Sequence, residues 1–153
     1  MSIAQRDYIL RMIEQLGVFL ARIAGARTAG DLEGAEREVK AALGALFGPL
    51  ADMLEKVDSA SAAGLLGSPE KISAAAALYT ERAAVRELSG NQATARADRR
   101  RALELYLEAA ILKPPDSDEA RGILVDLLKG VDRERLPERY RRELDAIAPT
   151  KGA

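Results

Sequence analysis

The stretch RALELYLEAAILKPP, residues 101–115, carries apolar side chains at three- and four-residue spacing and ends in two prolines. This spacing is typical of a helix with a buried face. Pro114 and Pro115 would stop the helix, because proline lacks the backbone N–H that the next helical hydrogen bond needs. The stretch therefore predicts the closing turns of a helix that ends before residue 114.

A second helix is predicted immediately upstream of this one. Ser68, Pro69 and Glu70 supply a hydroxyl cap, a ring already fixed at helical φ, and an acid at the positive end of the helix dipole. This helix would run to about Leu88, after which residues 89–91 (SGN) would turn the chain. Its apolar residues fall on two opposite sides, so neighbours are expected on both. Together these signals predict a long antiparallel helix hairpin in the C-terminal half.

The remaining sequence also favours helices, so the predicted fold class is all-α. Strict apolar–polar alternation is absent, and helical spacing recurs almost throughout. We expect a helical bundle of about six to seven helices. Those outside the hairpin are expected near 4–24, 28–47, 49–57, 116–129 and 137–148, with one further turn near 62–66.

The domain organisation expected from the sequence is simple. A chain of 153 residues can bury enough surface for a core of its own. We expect a single helical domain, residues 1–153, made of an N-terminal subdomain (1–58), a Gly/Ser-rich seam (59–68), the C-terminal helices (69–148) and a disordered tail (149–153).

The composition removes the residues on which many enzymes depend. The chain has no cysteine and no histidine, so the commonest general base and the commonest transition-metal ligand are both missing. Carboxylates, Lys, Tyr, Ser and Thr are the remaining catalytic material. We therefore expect a protein that is not an enzyme and has no catalytic, cofactor-binding or metal-binding residues.

Charge and hydropathy bear on location and partners. Lys plus Arg number 23 and Asp plus Glu number 24, so the net charge of −1 gives no long-range attraction to polyanions or membranes. No leader-like segment and no run of about 18 apolar residues is present, so no transmembrane segment is expected and a cytoplasmic location is the default. The excess of Arg (17) over Lys (6), with abundant Ala, suggests a bacterial source.

The stretch that ends at the two prolines resembles the close of a tetratricopeptide repeat. Ala102, Tyr106, Ala109 and Pro114 have the spacing of the small, aromatic, small and proline positions of that family. The first half of the repeat does not match, because Gly90 lies twelve residues before Ala102, whereas the family turns only a few residues before this position. One repeat is visible, whereas a solenoid usually needs about three.

The chain as a whole resembles a family of small bacterial all-helical proteins whose C-terminal halves are tetratricopeptide-like. The resemblance rests on RDYILRMIEQLGVFLARI (residues 6–23), on the stretch from SPEKI to YLEAA (residues 68–110) and on overall length. It implies a fold and no activity, and it carries over no site residues.

Two surfaces are candidates for binding. The hairpin is expected to form a groove over residues 72–107 that holds a protein partner, lined by Ile72, Tyr79, Leu103, Tyr106 and Leu107. The N-terminal helix is apolar over more than half of its circumference, so we expect a homodimer formed through Leu10, Gly17, Val18 and Ala21. The alternatives are that these four are covered within one chain, or, less favoured, that the helix lies on a membrane.

Charged clusters give weaker signals. RADRRR (residues 96–101) and the arginines of the last helix could contact phosphates, but acids are interleaved with them, which is more typical of a solvated helix surface. The sequence therefore does not favour nucleic-acid binding. Glu36, Asp52 and Glu55 could face one another across a helix pair, although surface charge is the simpler interpretation.

The function expected from the sequence is accordingly a non-enzymatic protein–protein interaction, scaffold or adaptor protein that self-associates through its N-terminal helix. The alternative is a purely structural, self-assembling subunit.

Overall fold

The computed structural model describes residues 2–148, and within that range it contains eight α-helices, one 3-10 turn and no strand. The all-α prediction is confirmed. The helices are α1 (Ile3–Thr28), α2 (Leu32–Phe47), α3 (Leu50–Leu54), α4 (Ser59–Leu66), α5 (Pro69–Leu88), α6 (Gln92–Leu112), α7 (Asp118–Leu128) and α8 (Glu138–Ile147), with the 3-10 turn at Arg133–Arg135. The predicted tail, 149–153, lies outside the described residues.

The helix count differs from the six to seven expected, and the Gly/Ser-rich seam contains the clearest difference. Residues 59–66 form a complete two-turn helix, α4, because the Asp58 carboxylate accepts a hydrogen bond from the Ser61 N–H and caps its start. Gly67 ends it with φ of +82°, a left-handed conformation that glycine adopts without strain.

The helix ends follow local capping signals, with one departure from the predicted bounds. Ser68 caps α5, Asp31 caps α2 and Ser117 caps α7, each accepting a backbone N–H three residues on. However, α1 continues past residue 24 to Thr28, because Gly30 (φ +80°) makes the turn.

α5 and α6 form the centre of the bundle and make its most extensive helix pairing. α1 and α2 pack on α5, while α4, α7 and α8 pack on α6. Ala74, Ala75 and Ala76 of α5 and Ala102 of α6 are buried, and small side chains allow helices to approach closely. The C-terminal end of α1 is fixed to α5 by an ion pair of 2.7 Å between Arg27 Nη1 and Glu81 Oε2.

One cluster of buried apolar side chains extends through the bundle, from Met12 on α1 to Leu144 on α8. None of the helices within residues 2–148 has both the length and the hydrophobicity that crossing a membrane requires.

Candidate functional site

The groove predicted over the hairpin is mostly buried. Ile72, Tyr79, Leu103 and Leu107 are each at most 1% exposed, because α1, α2 and α4 cover the sides of α5 and α6 on which they lie. These four side chains form the core of the bundle, so a partner cannot reach them in this structure. Tyr106, the fifth predicted groove residue, is half-buried and borders an open hollow.

The outer side of α1 is the main exposed apolar surface. Leu10 and Val18 are 50% and 53% exposed, and Gly17 and Ala21 are also exposed. We define the α1 ridge as the outward residues Ile3, Leu10, Ile13, Gly17, Val18 and Ala21. The four residues expected to mediate self-association thus lie together on a surface that no part of residues 2–148 covers.

The apolar circumference of α1 is only partly covered by neighbouring helices. Tyr8 and Ile13 are both about half exposed. Periodicity identifies an apolar side of a helix and does not tell how much of its length a neighbour covers. Here Met12 and Ile23 are buried, while the first two turns of α1 contact little of the bundle.

An open apolar groove lies beside the ridge. It consists of two adjoining hollows of about 400 and about 250 Å³ that share Ser73, Tyr106, Ala109, Lys113 and Pro115. Ile13 and Leu16 of α1 border one end, and Ile123 and Leu124 of α7 border the other. We call it the Tyr106 groove. The sequence pointed to Tyr106, but nothing in the sequence indicated which side of α6 would stay uncovered.

Tyr106 is also a source of pH sensitivity. Burial raises the pKa of Tyr106 from its ordinary value of 10.0 to about 12, because the phenolate is less well solvated in the groove than in water. Burial likewise raises the pKa of Tyr79 and of Tyr140.

The protein is therefore expected to lose stability as the pH rises from about 10 to about 12. In this window the phenol of the unfolded chain ionises while that of folded Tyr106 stays protonated, so deprotonation favours unfolding. Below about pH 10 this phenol contributes no pH dependence. Denaturant melts at a series of pH values, followed by circular dichroism, measure the effect. Tyr106→Phe should show a shallower decline, and a decline identical to wild type would contradict this assignment.

A chain of five charges links four segments of the bundle. Arg82 of α5 binds Glu55, which follows α3, at 2.7 Å, and binds Asp98 of α6 at 2.9 Å. Arg86 binds the other oxygen of Asp98 at 2.9 Å and Glu36 of α2 at 2.9 Å. Asp98 is only 5% exposed, so its two arginines supply the compensation that a buried carboxylate requires.

Electrostatics within this network favours the charged forms. Burial opposes ionisation of Glu55, but the hydrogen bond and the charge of Arg82 outweigh it and hold the pKa of Glu55 below its ordinary value. Burial likewise opposes the charge of Arg82, yet Glu55 and Asp98 together raise its pKa. The Arg82 guanidinium also lies over the Tyr79 ring, 4.8 Å from its centroid.

The carboxylates at 36, 52 and 55 do border one cleft, of about 330 Å³, as their spacing suggested. Glu36 and Glu55 are bound to the two arginines and are not available as a joint cation site. Within residues 2–148 no group of three or more acidic side chains is arranged to hold a metal ion. The ion pairs of this cleft join α2, α5, α6 and the segment after α3.

A second buried acid fixes α8 to α6. Glu108 is 4% exposed and accepts hydrogen bonds from the Tyr140 hydroxyl, at 2.5 Å, and from the guanidinium of Arg139. Arg100, Glu104 and Glu108 follow one another at four-residue spacing on α6. Arg100 and Glu104 form an ion pair at 3.3 Å. Glu108 instead lies in the interior, where it is hydrogen-bonded to Tyr140 of α8.

The basic cluster of α6 is largely engaged within the fold. Arg99 donates to the carbonyl oxygens of Asp126 and Leu127 at the end of α7. Arg101 donates to the Val57 carbonyl at 2.5 Å and to the Ser59 hydroxyl. Arg99 thereby satisfies carbonyl groups at the C-terminal end of α7, which otherwise lack hydrogen-bond donors. These arginines are not arranged as a free phosphate-binding face.

The fold and its surfaces define an all-α helical bundle with an exposed apolar ridge and an adjoining groove. Comparison of the chain with protein-family models, with curated proteins and with solved structures finds no match.

Proposed function

We propose that this chain is a non-enzymatic, cytoplasmic protein-interaction or scaffold protein that self-associates through α1, most simply as a homodimer. The observation that supports this proposal best is the α1 ridge. Large contiguous apolar surfaces are uncommon on proteins that function alone, and they mark interaction sites. Four large apolar side chains of the ridge are about half exposed or more, namely Ile3, Leu10, Ile13 and Val18.

The free energy expected from burying the ridge side chains is large enough for association. Burying the exposed half of such a side chain contributes about 1 kcal/mol, so four on each of two copies contribute about 8 kcal/mol. Association costs about 4–15 kcal/mol in lost translational and rotational freedom. The two quantities are comparable, so a single charge on the ridge should be able to decide whether the dimer forms.

A tetratricopeptide-like role of the C-terminal half remains part of the proposal. The long α5–α6 hairpin supports it, although Ile72, Tyr79, Leu103 and Leu107 are buried, so any protein partner would use the outer surfaces of these helices. A structural, self-assembling subunit is the second candidate. Pulldown from the source cell separates the two, because the first predicts a specific second protein and the second predicts only copies of this chain.

Leu10→Glu is expected to raise the dissociation constant of the homodimer at least about 100-fold. Two unpaired charges, one from each copy, would have to be desolvated in the interface, at several kcal/mol in total. Sedimentation equilibrium or light scattering over a concentration series measures the change.

Met53→Glu is the matched control, since Met53 is an exposed apolar residue on α3, 48% accessible, away from the ridge. Its dissociation constant should stay within about twofold of wild type. A wild-type protein that stays monomeric throughout the series would refute self-association.

A further inference from the structure

We infer that the α1 ridge of one copy docks into the Tyr106 groove of a second copy, and that the second ridge docks reciprocally into the first groove. This inference rests on the proposed self-association and specifies the surface that receives the ridge. The occupant of the groove is thus a second copy of this chain.

The position of the two surfaces is the first argument. Ile13 belongs to the ridge and also borders the groove, so ridge and groove adjoin on one side of the molecule. A twofold-symmetric dimer uses the same patch on both copies, and that patch must be complementary to itself. A raised apolar element beside an apolar depression meets this requirement, whereas either one alone does not.

The shapes of the two surfaces are the second argument. The ridge presents branched side chains, Leu10, Ile13 and Val18, separated by the small residues Gly17 and Ala21. The groove has a floor of small residues, Ser73, Ala77 and Ala109, between larger walls on α1 and α7. Large side chains against small ones allow close helix packing, and an amphipathic helix in an apolar groove is a recurrent recognition mode.

The charges on the two surfaces are the third argument. Arg6, Asp7 and Glu14 lie among the ridge residues on the same side of α1, and the groove is bordered by Glu70, Lys113 and Asp116. None of these six side chains has an ion-pair partner among residues 2–148, unlike the arginines and acids of the bundle interior. Each surface carries both signs, so each can offer partners to the other. A net charge of −1 leaves little repulsion between copies.

The test places substitutions in the groove, away from the ridge. Ser73→Arg puts a long charged side chain on the floor of both hollows, and Ile123→Glu puts a charge on the α7 wall. Each is expected to raise the dissociation constant of the homodimer at least about tenfold. Val125→Glu is the matched control, because Val125 is on the same helix with similar exposure (44% against 38%) and does not border the groove. Its constant should stay within about twofold of wild type.

A mixing experiment tests reciprocity directly. A heterodimer of Leu10→Glu with Ser73→Arg keeps one intact ridge–groove contact, between the ridge of the second variant and the groove of the first. Fluorescently labelled Leu10→Glu, titrated with Ser73→Arg, should therefore associate more tightly than either variant associates with itself. Circular dichroism and thermal melting of each variant establish that the substitutions leave the fold intact.

The outcomes separate the two proposals. If Leu10→Glu weakens the dimer while Ser73→Arg and Ile123→Glu associate like wild type, self-association stands and ridge-against-ridge packing replaces the docking inferred here. If wild type does not associate at all, both proposals fail. If the groove variants weaken the dimer but mixing gives no gain, reciprocal docking is overturned.

Discussion

Replacing Asp98 by alanine is expected to lower the free energy of unfolding by about 3–5 kcal/mol, a large fraction of the total stability of a domain of this size. The substitution removes the one carboxylate that bridges Arg82 and Arg86 in the interior. Each arginine keeps only its outer acid, Glu55 or Glu36, both of which are substantially exposed. Two poorly compensated cations would then remain where α2, α5 and α6 meet.

Urea unfolding followed by circular dichroism measures this change. Asp126→Ala is the control, because the Lys129–Asp126 pair is far more exposed, at 72% and 73%, and a surface ion pair contributes at most about 1 kcal/mol. Asp98→Asn, which keeps shape but loses charge, should fall between wild type and Asp98→Ala. Equal effects of Asp98→Ala and Asp126→Ala would show that the buried network does not stabilise the bundle.

Leu103→Ala is expected to lower the free energy of unfolding by about 2–5 kcal/mol. Leu103 of α6 is fully buried in the core cluster, so truncation removes apolar contacts and leaves a cavity that the surrounding helices can only partly close. Stability, measured by urea or thermal unfolding, should change strongly. If Leu103 lined an open partner groove instead, truncation would change binding and leave stability nearly intact.

Leu88→Ala serves as the control for this prediction. Leu88 has the same side chain, lies on the hairpin and is 61% exposed, so its truncation should change stability by no more than about 0.5 kcal/mol. A small effect at position 103 would contradict the placement of this leucine in the core.

Much of the fold could be predicted because its signals are local. Ser68 followed by Pro69 starts α5, Asp31 starts α2, and Pro114 follows the end of α6, since caps and prolines act on the backbone within a turn or two. The two opposed apolar stripes of α5 reflect its central position between α1 and α2 on one side and α6 on the other.

The candidate surfaces were only partly predictable. The exposed position of Leu10, Gly17, Val18 and Ala21 agrees with the sequence, because α1 is apolar around more of its circumference than one neighbour can cover. The groove prediction rests on residues that are apolar and lie on the hairpin. Those two properties also describe a core, and Ile72, Tyr79, Leu103 and Leu107 are buried in it.

The sequence by itself determined that this chain forms capped helices with apolar faces and lacks histidine and cysteine, because periodicity, caps and composition are properties of neighbouring residues. The tertiary structure alone decided which apolar faces are covered. It also buried Asp98 and Glu108, because Arg82, Arg86 and Tyr140 reach them from other helices. Burial and charge pairing are relations between segments far apart in the chain, and helix packing sets them.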